Sequence, residues 1–121
     1  MAALTKPSRS DTAIASQTIA TDTDTSGVSF GISADTTEIL MFTKVSSRTD
    51  GTFTPKIEGS VDGTNFVTLA TGTAISSNTH NHTELAVAVD GALPPIIKIT
   101  VTSASTTSGA TVEASVLLNH R

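Results

Sequence analysis

Apolar residues recur at every second position along most of this chain, and no stretch of eleven or more residues carries a helical repeat. A strand points successive side chains to opposite faces, so this alternation commits the chain to half-buried strands. Val28, Phe30 and Ile32 alternate within 27–33. Phe53, Pro55 and Ile57 alternate with Thr54, Lys56 and Glu58, and the proline marks an edge strand or a bulge. Short runs follow at 65–70, at 83–89 (Leu85, Val87, Val89), at 96–102 (Ile97, Ile99, Val101) and at 111–118 (Val112, Ala114, Val116, Leu118). The run 37–46 differs: Ile39, Met41 and Val45 share one face and Leu40 and Phe42 the other, the pattern of a strand buried on both sides. A run near 13–20 is weaker, because Ile14 and Ile19 fall out of phase.

Turn chemistry punctuates these runs. Asp50-Gly51, Asp62-Gly63 and Asp90-Gly91 favour positive φ and tight turns. The polar run 103–110 reads as a hairpin loop between the last two strands. Short strands with turns every 8–12 residues predict an all-β fold, a single antiparallel β-sandwich or jelly roll of seven or eight strands. The expected core is Phe30, Ile32, Ile39, Met41, Phe53, Ile57, Phe66, Leu69, Leu85, Val87, Ile97, Ile99, Val101, Val112 and Val116.

Composition sharpens this reading. Val, Ile and Thr supply 41 of 121 residues, and β-branched side chains favour strands. With four Phe and no Trp, Tyr or Cys, the core is lean and neither disulfides nor cysteine metal sites can form. No apolar run approaches the roughly 20 residues of a membrane-spanning helix, and the opening Met1–Pro7 lacks the apolar stretch of a secretory signal. The net charge of −4 speaks against a nucleic-acid partner. Charge is also uneven, since Lys6 and Arg9 give residues 1–10 a charge of +2 and the remainder carries −6. Residues 1–12 are therefore expected to form an extended N-terminal arm before a sandwich at 13–121. Lys6, Pro7 and Arg9 of that arm are the candidate interaction residues, facing an acidic neighbouring subunit.

Candidate chemistry is sparse. His80 and His82 would face one side of a strand, but with the distant His120 they fall short of a converging ligand set. Ser60 lies in Gly59-Ser-Val-Asp-Gly63, which lacks the Gly-x-Ser-x-Gly nucleophile elbow and reads as a turn. Asp22 and Asp24 could contribute to a calcium loop, yet Ser26 precedes Gly27 where that loop pattern needs a carboxylate or amide. The expectation is a protein that is not an enzyme, with no metal, no cofactor, no small-molecule substrate and no membrane partner.

The segment Phe53-Thr-Pro-Lys-Ile-Glu-Gly-Ser-Val-Asp-Gly-Thr-Asn-Phe-Val-Thr-Leu69 is a strand, an Asp-Gly turn and a return strand opened by an aromatic. It is followed by Asp90-Gly-Ala-Leu-Pro-Pro-Ile-Ile-Lys-Ile-Thr-Val-Thr102 and Thr111-Val-Glu-Ala-Ser-Val-Leu-Leu118. Over residues 37–118 this layout resembles small β-sandwich structural proteins of tailed bacteriophages, above all capsid decoration (cement) proteins. The resemblance implies a virion protein, made in the host cytoplasm and located on the capsid surface. It would bind the major capsid protein, bridge its subunits non-covalently and form a homo-oligomer, a dimer or trimer. A tail-tube or head–tail joining protein is an alternative. The same hairpin resembles discoidin-like carbohydrate-binding sandwiches, although here Phe66 stands where their binding aromatic is usually Trp.

Overall fold

The computed structural model describes the backbone of residues 9–87 and 93–120 and the side chains of 14–80, 82–83 and 93–118. Nine strands are described: β1 (Arg9–Ile19), β2 (Asp24–Ser26), β3 (Phe30–Gly31), β4 (Thr36–Ser46), β5 (Thr52–Ser60), β6 (Val67–Thr71), β7 (Thr79–Val87), β8 (Ile96–Ala104) and β9 (Ala110–His120). They form two antiparallel sheets, one ordered β1-β9-β4-β7 and the other β2-β8-β5-β6, with β3 also pairing β8. Since β2 and β3 lie along the same partner, they are one interrupted strand, and the described residues form an eight-strand jelly roll. The pairs β5·β6, β4·β7, β2/β3·β8 and β1·β9 are successive rungs of one long hairpin. Its tip is the turn at Asp62-Gly63, and the rest is rolled so that successive rungs alternate between sheets.

Local irregularities explain where alternation misleads. Bulges between Thr12 and Ile14 and between Ile14 and Gln17 bring Ile14 and Ile19 back into phase, and both are buried. Pro55 is tolerated in the interior strand β5 because β6 pairs with it only from Lys56 onward. Beside the proline, the Pro55 carbonyl accepts the Gly72 N–H at 2.8 Å. The run 27–33 is not one strand. Gly27 N–H donates to the Ile99 carbonyl, the chain lifts away, and pairing resumes at Phe30, leaving Val28 89% exposed. The arm expected over 1–12 is paired with β9 from Arg9 onward, and residues 1–8 lie outside the described residues. The loop 103–110 joins strands of different sheets and is not a hairpin.

The core is the space between the sheets. Ile39, Met41, Phe53, Ile57, Ile97, Ile99, Val101, Val112 and Val116 are buried as expected, while Phe30, Ile32 and Leu69 pack against them less completely. Ile14, Ile19, Val45, Ile75, Ala110, Ala114 and Leu118 join them. One expectation changes. Phe66 is only half-buried, with the Lys98 ammonium 4.3 Å from its ring centroid. Leu85 and Val87, also expected in the core, stand opposite Leu40 and Glu38 in the backbone register, and their side chains lie outside the described residues.

Thr43 is fully buried on the inner face of β4, and its hydroxyl has no hydrogen-bond partner. A buried unpaired hydroxyl costs about 1–3 kcal/mol of desolvation. Thr43→Val keeps the branched shape and removes that group. It is expected to stabilise the fold by about 1 kcal/mol, read as a higher urea midpoint at unchanged slope.

Candidate functional site

The loops gather at two ends with different chemistry. At one end the chain is stitched by side chains. The Asp50 carboxylate, between β4 and β5, accepts the backbone N–H groups of Thr107, Ser108 and Gly109 at 3.1, 3.1 and 2.8 Å and the Thr107 hydroxyl. Asp22 Oδ1 accepts the Thr106 N–H at 2.8 Å. Arg48 N–H donates to Asn78 Oδ1 at 3.0 Å, and its Nε–H to the Gly51 carbonyl at 2.8 Å. Four crossover loops are thereby fixed to one another.

The other end carries the hairpin tip. Ser60 Oγ donates to Asp62 Oδ1 at 2.9 Å and accepts the N–H groups of Asp62 and Gly63. Asp62 in turn accepts the N–H groups of Thr64 and Asn65, both at 2.8 Å, and the Asn65 side-chain amide at 2.9 Å. Ser60 is thus a satisfied turn residue with its hydroxyl committed to the loop. This network holds up an apolar surface. Val61 and Val67 are 80% and 62% exposed, and with Gly59, Ser60, Asn65 and Pro94 they line a shallow cavity of about 190 Å³. Phe66 of the same hairpin stacks under Lys98 of β8.

Both aspartates are held far below the usual carboxylate range. For Asp50 the main cause is the Thr107 hydroxyl, then the Gly109 N–H; for Asp62 it is the Asn65 N–H, then that of Thr64. The folded state therefore holds these groups ionised where the unfolded chain, titrating near about 3.9, takes up protons. Their stabilisation is complete above that value and is lost as pH falls below it. The melting temperature is expected to drop between pH ~4 and pH ~2, with Asp50→Asn and Asp62→Asn each flattening the drop.

The other candidates are dispersed. Arg9 opens β1 opposite Leu118, its side chain lies outside the described residues, and so do Lys6 and Pro7 entirely. His80 is exposed and His82 half-buried on β7, while His120 stands opposite Thr36 in the backbone register. Among the described residues no three metal-binding side chains converge. Asp22 and Asp24 diverge, Asp22 to Thr106 and Asp24 to the Thr102 hydroxyl at 2.7 Å, so they do not share a cation. The exposed valines were not legible as a surface, because period-2 patterning assigns a face without saying where a strand ends.

No family model matches the chain, and no curated protein matches it. Among solved structures it is similar to a chain in the structure of infectious bursal disease virus, Gx strain, with a TM-score of 0.46 and 13% identity. The match covers 93% of this chain and 31% of that one, so the chain spans less than a third of the neighbour's length.

Proposed function

We propose that the protein is a virion structural protein that binds the outside of a phage head and bridges major capsid subunits, without a catalytic role. The observation that carries this reading is the hairpin tip. Val61 and Val67 stand exposed on a turn fixed by Ser60 and Asp62, beside an apolar cavity. A rigid apolar knob-and-hollow surface suits docking on another protein, where burial of such side chains supplies affinity. The jelly roll supports it at the level of fold, since capsid domains use this double-sheet arrangement, though lectins do too. Each contact is modest, and symmetric repetition over a lattice multiplies it.

The test is co-sedimentation of the purified protein with expanded capsids from the same source, beside a glycan array. Capsid binding that Val61→Asp/Val67→Asp weakens at least about tenfold is the expected result. Glycan binding without capsid binding would overturn it in favour of a carbohydrate-binding module. Labelled protein found on tails alone would reassign it to a tail-tube or joining role.

A further inference from the structure

We propose that the outer face of the four-stranded sheet is a self-association surface that takes a second copy of this chain, packed antiparallel across a two-fold axis near Met41. Alternation along β4 places Glu38, Leu40, Phe42 and Lys44 on the face turned away from the core. A solvent-facing sheet surface is ordinarily polar at its centre. Here β4 lies inside the sheet, and its central outward residues are Leu40 and Phe42, both only half-buried. The register extends the apolar patch sideways: Leu117 of β9, also half-buried, stands opposite Leu40.

The ends of the patch identify the occupant. Read along β4, the outward residues run acid, leucine, phenylalanine, base. Reversed, the same series meets itself with complementary charge. A two-fold axis lying between the faces and perpendicular to the strands sets Leu40 over Phe42 of the second copy. The same axis brings Glu38 over its Lys44 and Lys44 over its Glu38. The two charges lie six residues apart, about 20 Å along a strand, so both ion pairs fall at the rim of an apolar centre. A parallel arrangement would set Glu38 on Glu38 and Lys44 on Lys44. Sheets stack face to face within about 30° of alignment and about 10 Å apart, which long Glu and Lys side chains can bridge. One patch meeting its own copy is the isologous arrangement of a closed dimer. The inference goes beyond the capsid reading and does not depend on it.

Sedimentation of the full chain across the micromolar range tests this. Wild type is expected to form a dimer that salt weakens. Glu38→Lys and Lys44→Glu should each weaken it at least about tenfold, and the double variant should recover to within about threefold of wild type. Lys44 also stands opposite Glu113 in its own sheet, and Glu38 has an interaction within its own chain. Recovery in the double variant is therefore the readout that a local effect cannot produce. Leu40→Lys should leave a folded monomer; should that variant misfold, the rim charge swaps still decide the matter. A wild-type protein that stays monomeric, a dimer indifferent to the swaps, or weakening without recovery would each overturn the proposal.

Discussion

Replacing Phe53 with alanine is expected to remove about 3–5 kcal/mol of stability, the range for emptying a buried aromatic site. Phe53 is the largest fully buried side chain, in a protein with four phenylalanines and no other aromatic residue. Its backbone is clamped from both sides. It pairs Ser103 across the sheet, and it exchanges hydrogen bonds of 3.0 and 2.8 Å with Ile75, itself buried. Neighbours held this way cannot collapse into the vacated space, so the cavity term stays large. Natural domains have about 5–15 kcal/mol in total, so a loss of this size should lower the melting temperature by roughly 10–20 °C. Phe66→Ala is the internal comparison. Half-buried and stacked on Lys98, it should cost only about 1 kcal/mol. Equal losses at the two positions would mean that Phe66 belongs to the core.

That contrast shows where the sequence is informative. Period and composition identify strands because alternation is a property of neighbours along the chain. The inward residues of β4, β5, β8 and β9 follow directly from it. Pairing partners are a different kind of information. Asp50-Gly51 and Asp62-Gly63 have the same dipeptide, and both glycines adopt positive φ, at 92° and 79°. Only the second closes a hairpin, whereas the first carries the chain from one sheet to the other. What separates them is long-range: Asp50 holds the N–H groups of residues 57 to 59 positions further on, and Asp62 those of residues two and three away. The outer face of β4 was legible as apolar, yet alternation cannot tell a strand buried on both sides from one awaiting a partner. Bulges were illegible for a related reason, because a single inserted residue, as around Ile14, reverses the phase that the pattern reports.

Gly109→Ala is expected to be the most damaging methyl addition among the described glycines, costing more than about 4 kcal/mol. Two effects combine there. Gly109 has φ of 76°, which costs an alanine about 1–2 kcal/mol wherever it occurs. The larger effect is space. A Cβ at this position would overlap the Ile19 carbonyl oxygen and lie 2.7 Å from the Ile19 carbonyl carbon and 2.9 Å from the Ala20 Cα. All three are backbone atoms at the end of β1, and Ile19 pairs with Ala110 one residue away. Nothing flexible can yield, so either β1 leaves β9 or the loop before β9 moves. The loop cannot move cheaply, because Gly109 donates to Asp50 and its carbonyl accepts the Thr49 N–H, both at 2.8 Å. Gly63 separates the two effects. Its φ of 79° is nearly the same, but an added Cβ meets only the Ile96 Cδ1, at 3.4 Å. Gly63→Ala should therefore cost about 1–2 kcal/mol, and Gly63→Asn less, since asparagine tolerates this backbone region. At residue 109, asparagine should be no better than alanine, because the obstacle is contact and not conformation. Urea unfolding of the four variants decides it. Equal losses for Gly109→Ala and Gly63→Ala would show that the close approach of Gly109 to Ile19 is not maintained in solution.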